Sequence, residues 1–125
     1  MKPLRIAIAI AALTAAGCTD LPLDTNGGSG GDFDITVGTG TTPSYSWPGG
    51  PAFEVSVVRT SDETVFIWRI ADSVNQNIAP PVRHGTVPVG AFELEVREAT
   101  LTPGVRYRVA IKLPNGDAAF RDFTP

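Results

Sequence analysis

The chain has one cysteine, Cys18, and one histidine, His84. A lone thiol forms no intramolecular disulfide, so no covalent staple holds the fold. Any serine triad or imidazole metal site would depend on His84, and neither Gly-x-Ser-x-Gly nor His-x-x-x-His accompanies it. Its setting, Arg83-His84-Gly85 between prolines, reads as a loop or edge strand with an exposed or hydrogen-bonded surface histidine. Basic residues are also scarce, with no Lys or Arg between Arg5 and Arg59. Finally, no stretch after residue 42 repeats apolar residues at helical spacing.

What is present begins with an export signal. Lys2 and Arg5 make a positive start, and Ile6 to Ala16 runs without charge, interrupted only by Thr14. Eleven helical residues rise about 16 Å, well short of the roughly 30 Å of a bilayer's hydrocarbon core. The run therefore does not span a membrane, and it lacks the polar face of a core helix. It ends on Ala15-Ala16-Gly17-Cys18. Small residues before the cysteine let an extended segment enter a narrow peptidase site, and the thiol can accept a diacylglyceryl group.

These four residues resemble the lipobox of bacterial lipoproteins, with Ala15 at the place where Leu is commonest. The resemblance implies cleavage before Cys18 and attachment to a lipid membrane through the acylated thiol. The competing outcome is ordinary cleavage after an Ala-x-Ala-like site, which would leave an odd thiol. About 0.8 kcal/mol per buried methylene makes two acyl chains a lasting anchor. Thr19, not Asp, follows the cysteine, which in the enterobacterial sorting pattern directs a lipoprotein to the outer membrane of a two-membrane envelope. Cleavage removes Lys2 and Arg5, leaving eight of the ten basic residues against thirteen acidic ones, a net charge of −5. That sign gives no footprint for nucleic acid.

Residues 18 to 42 read as a tether rich in Gly, Thr and Asp. Such a segment buries too little apolar surface to offset its ordering entropy, and fourteen of its residues reach about 20 Å root mean square. A short first strand over 33–37 leaves it. Gly27 to Phe33 fits the opening of a calcium-binding nonapeptide repeat, but Asp34 stands where the repeat requires an apolar residue and only one copy is present. A glycine linker explains it.

From residue 43 to 125 the pattern has period two. Ser44 to Trp47 is short and ends at Pro48-Gly49-Gly50-Pro51. Phe53, Val55 and Val57 then oppose Glu54, Ser56 and Val58. Phe66, Trp68 and Ile70 oppose Val65, Ile67 and Arg69, after which 71–81 is loop and 82–87 an edge strand. Phe92, Leu94 and Val96 against Glu93, Glu95 and Arg97 form the cleanest pattern with one wet face. Val105, Tyr107, Val109 and Ile111 follow, then an Asn115-Gly116 hairpin turn and a last strand over 118–123. About seven short strands at this spacing imply an all-β, antiparallel two-sheet sandwich.

Leu101-Thr-Pro103-Gly104-Val-Arg-Tyr107-Arg-Val109 resembles the fibronectin type III signature L-x-P-G-x-x-Y-x-V. The resemblance covers about residues 33 to 125 and implies an immunoglobulin-like sandwich. In it Tyr107 bonds back to the chain in a tyrosine corner, and Trp47 is the core tryptophan ahead of Phe53-Glu-Val-Ser-Val57. Phe53 replaces the usual Tyr. Neither the fold nor the family implies a chemistry.

Three groups remain. Glu93 and Glu95, two apart on a strand, stand about 6.5–7 Å from each other, a spacing that touches that of inverting glycosidases. On a solvated face nothing separates their acidities, so they read as surface. Arg106, Arg108 and Lys112 form a basic row that Glu54 and Ser56 on a neighbouring strand would face in cross-strand pairing, with an acidic partner as the alternative. The strand of Val65, Ile67 and Trp68 is apolar on both faces, so either the 71–91 connection covers it or it is a surface for a partner or glycan. The reading is then an anchored, non-enzymatic envelope module without cofactor or metal, presenting a sheet face or loops to another envelope protein or to a matrix component. The alternative is carbohydrate binding through Trp68, Tyr45 or Trp47.

Overall fold

The computed structural model describes residues 28–72 and 78–125. The export segment with Ala15, Ala16, Gly17 and Cys18 lies outside the described residues. Among the described residues nine strands form in chain order: β1 (Ser29–Gly31), β2 (Thr36–Val37), β3 (Ser44–Ser46), β4 (Glu54–Arg59), β5 (Asp62–Ala71), β6 (Val82–Arg83), β7 (Phe92–Val96), β8 (Tyr107–Lys112) and β9 (Ala118–Phe123). No helix occurs among the described residues, and none is long and apolar enough to cross a membrane.

The strands make two antiparallel sheets. One has six strands in the order β1-β9-β8-β4-β5-β7 and the other three in the order β2-β3-β6. Val55 and Val57 of β4, Trp68 and Ile70 of β5, and Tyr107, Val109 and Ile111 of β8 share one buried cluster with Tyr45 of β3 and Val82 of β6. The two layers thus bury their facing residues together, as a sandwich requires. The period-two pattern of β8 is realised residue for residue, because β8 lies inside its sheet between β4 and β9.

The glycine run is not a free tether from Gly28 onward. Ser29–Gly31 pairs with β9, Gly30 opposite Phe120 and Gly31 opposite Ala119. The physical reason is close approach: a Cβ on Gly30 would stand 2.7 Å from a carbon of the Phe120 ring, and one on Gly31 would collide with the Ala118 carbonyl oxygen. Gly31 also holds a φ of 108°, which glycine adopts without strain. The chain then crosses to the other sheet, burying Ile35 before β2.

Two single-residue bulges break the expected alternation, besides a longer slip near the β4–β5 turn, where the partner jumps from Phe66 at Val58 to Asp62 at Arg59. On β5, Trp68 stands opposite Val57 and Phe66 opposite Val58, leaving Ile67 as an extra residue. On β7, Glu95 stands opposite Arg69 and Glu93 opposite Ile70, leaving Leu94 extra. Each bulge moves the residues beyond it to the other face. The second hairpin also differs from a two-residue turn: Leu113 N–H donates to Asp117 O at 2.8 Å, closing a loop of three residues in which Gly116 takes a φ of 97°.

Candidate binding surface

The expected corner residues come together. Thr102 N–H donates to the Tyr107 hydroxyl at 2.9 Å, and that hydroxyl donates to Glu98 Oε1 at 2.8 Å. Leu101 is buried, while Pro103 and Gly104 turn at the surface. Trp47 is buried and donates its indole N–H to Gly50 O at 2.9 Å. Sequence reasoning missed Glu98, which ties the corner to the rest of the sheet. Its carboxylate also takes Arg59 at 2.7 Å, and this hydrogen bond raises the Arg59 pKa further above its ordinary value. Its only sequence signal is a carboxylate a few residues ahead of Leu101.

Trp68 and Ile67 are not a surface. Trp68 is 0% exposed and Ile67 4%, and Val65 is half-buried. The bulge explains how neighbours on one strand can both be buried, and it turns Phe66 to the opposite face, opposite Val58 and under Arg69 at 4.7 Å. Tyr45 is equally buried, so the three aromatics considered for a glycan are core residues.

His84 is not at the surface either. It is buried with its ring 4.7 Å from that of Trp68. Nε2 lies 2.7 Å from Glu98 O, which can only accept, so Nε2 holds the proton; Nδ1, 2.9 Å from Tyr45 Oη, then accepts from that hydroxyl. Burial pushes the His84 pKa down, against the pull of Glu98, and pushes that of Tyr45 well up. Both groups are held neutral as a bridge between the sheets.

On the outer face of the large sheet the basic row is paired. Arg108 meets Asp122 at 2.6 Å and stacks on Phe120 at 4.3 Å, Arg106 reaches Asp122 at 3.9 Å, and Lys112 reaches Glu54 at 3.9 Å. Glu54, expected with Ser56 to face the row, is shared between Lys112 and Arg69, the latter at 2.8 Å. Ser56 stands opposite Ala110. The Leu94 bulge separates Glu93 from Glu95, since their partners Ile70 and Arg69 are adjacent on β5 and face opposite sides. The two carboxylates therefore do not form a pair on one face. Among the described residues no group of three metal-ligating side chains comes together.

The exposed large apolar residues lie elsewhere than expected. Among the described residues they are Val89 at 98%, Phe92 at 46%, Leu94 at 44% and Val96 at 46%, all on or just before β7. β7 is the outermost strand of a six-stranded sheet faced by only three strands, and β6, at that side of the small sheet, has two residues. The narrower layer leaves the wider one overhanging, so the residues expected to be buried stay in water. Beyond β7 no further strand is paired among the described residues. An open cleft of about 340 Å³ lies between 37–40 and 121–125, but its charged residues are engaged, Asp122 by Arg108 and Arg121 by Ile35 O at 3.0 Å.

Comparison of the chain with protein-family models, with curated proteins and with solved structures finds no match. The surface must therefore be read from its own chemistry. Among the described residues it offers an edge strand to which no further strand is paired, with apolar and acidic side chains along it, which is the equipment for adding an extended strand.

Proposed function

We propose that this chain is a lipid-anchored bacterial envelope protein whose folded part is a fibronectin type III-like module, acting by protein binding through the β7 edge rather than by turnover. The observation that carries the binding role is the concentration of exposed apolar side chains on one open strand. An edge of that kind is a liability in a protein with no use for it, and proteins usually blunt or cover such edges.

The anchor rests on Ala15-Ala16-Gly17-Cys18 behind its uncharged run. The family reading is supported by the Tyr107 hydroxyl bonding back to Thr102 and by Trp47 in the core just before β4. The glycan alternative lacks support in the geometry, because Trp68, Tyr45 and Trp47 have no exposed ring to stack on a sugar.

Mass spectrometry of the mature protein tests the anchor. The expected chain begins at Cys18, carries acyl chains and enters the detergent phase on partition. A chain that begins at Met1 and stays in the aqueous phase overturns it. The binding role is tested by placing a photo-crosslinking amino acid at Phe92 in the producing cell, where protein adducts are expected; their absence at Phe92 and at Val96 alike overturns the role.

A further inference from the structure

We infer that the residues just before Gly28 continue β1 along the end of β9 and bring Leu23 to the cleft between 37–40 and 121–125, so that the chain covers this cleft with its own approach to the domain. The docking is independent of the anchor at Cys18; its consequence for orientation rests on that reading.

The pairing of β1 with β9 sets the register. Ser29 stands opposite Arg121, and Asp122 N–H donates to Gly28 O at 2.8 Å. Three residues on, Pro125 O accepts from Gly104 N–H at 3.1 Å, on the side of β8. Alternation from Asp122 to Pro125 therefore turns the N–H and C=O of Thr124 to the β1 side, level with Asn26. The main chain there suits one more rung of the ladder.

The same register decides which side chains meet the cleft. Arg121 and Phe123 share the face that looks toward the small sheet: Arg121 donates to Ile35 O at 3.0 Å, and the Phe123 ring packs against that of Tyr45. Residues directly opposite share a face, so Gly27 and Thr25, level with Phe123 and Pro125, turn to that side, as does Leu23 at the next position. Between Cys18 and Gly28 the apolar side chains are those of Leu21, Pro22 and Leu23, and both leucines have this parity. Small residues thus come where the strand lies against Phe123, and the first large apolar one comes just past Pro125, at the end of the cleft.

The cleft's chemistry fits such an occupant. Of its lining, Arg121 and Asp122 are engaged, and the rest is Val37, Phe123 and Pro125 with two threonines and two glycines. A detached charged ligand finds no free charged side chain in it, whereas a segment joined to the domain at Gly28 arrives at high effective concentration.

Docking shortens the tether. Ten residues from Cys18 to Gly28 reach about 18 Å root mean square, and the five from Cys18 to Leu23 about 12 Å. β1 and β7 are the two edges of the six-stranded sheet, about 24 Å apart at five strand spacings. The docked tether then holds the β1 edge toward the lipid and leaves the β7 edge on the far side.

The test uses the full-length anchored chain in its own membrane, with a diazirine-bearing aliphatic amino acid at Leu23. Irradiation is expected to give an internal crosslink, at the mass of one chain, to the peptides holding 37–40 or 121–125. The lack of that crosslink, whether the label goes to lipid, to a second copy or to another protein, overturns the docking. Amide exchange checks the ladder: with Leu21→Ser and Leu23→Ser together, exchange over 121–125 should quicken at least several-fold while that of β8 stays as in the parent. Unchanged exchange over 121–125 overturns the added rung. An internal crosslink in a chain that begins at Met1 upholds the docking and overturns the orientation.

Discussion

His84 is favoured in its neutral form chiefly by burial, with one ring nitrogen donating to Glu98 O and the other accepting from Tyr45 Oη. The groups packed around it are the Tyr45 hydroxyl from β3, the Trp68 ring from β5 and the Glu98 main chain, while the Glu98 carboxylate is engaged by Arg59 and Tyr107. Its pKa is lowered on folding, chiefly by burial. The unfolded chain therefore binds a proton more readily, and stability present above the unfolded pKa of about 6.5 is lost as pH falls below it, down through the folded value. Urea midpoints from about pH 7.5 to about pH 5.5 should fall in the parent and fall less in His84→Gln. Equal slopes would remove the protonation argument. At the same scale, Tyr107→Phe leaves Thr102 N–H without its partner and Glu98 without one donor, and should lower unfolding free energy by about 2 kcal/mol. A loss below about 0.5 kcal/mol would mean that the corner is ornamental. Residues such as Tyr107 were legible because their role follows from a short local spacing. His84 was not, because its burial depends on strands distant in sequence.

Elements are where the sequence reading both succeeded and failed, and β1 shows why. Glycines between an anchor signal and a domain have the composition of a linker, and nothing local reveals that Phe120 needs a bare backbone to lie on. The two readings predict different mutants. As a tether, Gly28 and Gly31 would tolerate alanine equally. As part of the sheet, Gly31→Ala should lose about 1–3 kcal/mol through its positive φ alone, with the collision against Ala118 O adding to it, whereas Gly28→Ala, with open space around it, should stay within about 0.5 kcal/mol. Thermal unfolding of the two variants decides, and equal midpoints return the segment to the tether reading. β8 was legible throughout because neighbours on both sides enforce its alternation. β5 and β7 were misread beyond Ile67 and Leu94, since a bulge is one extra residue in a pairing and leaves no mark in either strand's composition.

For the whole molecule, strand count could be read from the sequence but layer width could not. Six strands facing three leave an overhang, and the apolar residues on it look in the sequence like those of the core. That distinction separates residues that hold the fold from residues that are free to bind. Ile70 and Glu93 face each other across one strand pair, and Leu94 is adjacent, yet Ile70 is fully buried and Leu94 is half in water. Ile70→Ala should therefore lose about 2–5 kcal/mol, while Leu94→Ser should change stability by less than about 1 kcal/mol. Both tryptophans lie in the single shared core, so their fluorescence and the far-ultraviolet circular dichroism should unfold in one coincident transition. The Ile70 variant should shift that transition as a unit, because β5 is bonded into the sheet that contributes most of the core. Separate transitions for the two probes, or a Leu94→Ser loss as large as that of Ile70→Ala, would show that β7 belongs to the core and that its exposed side chains are not available to a partner.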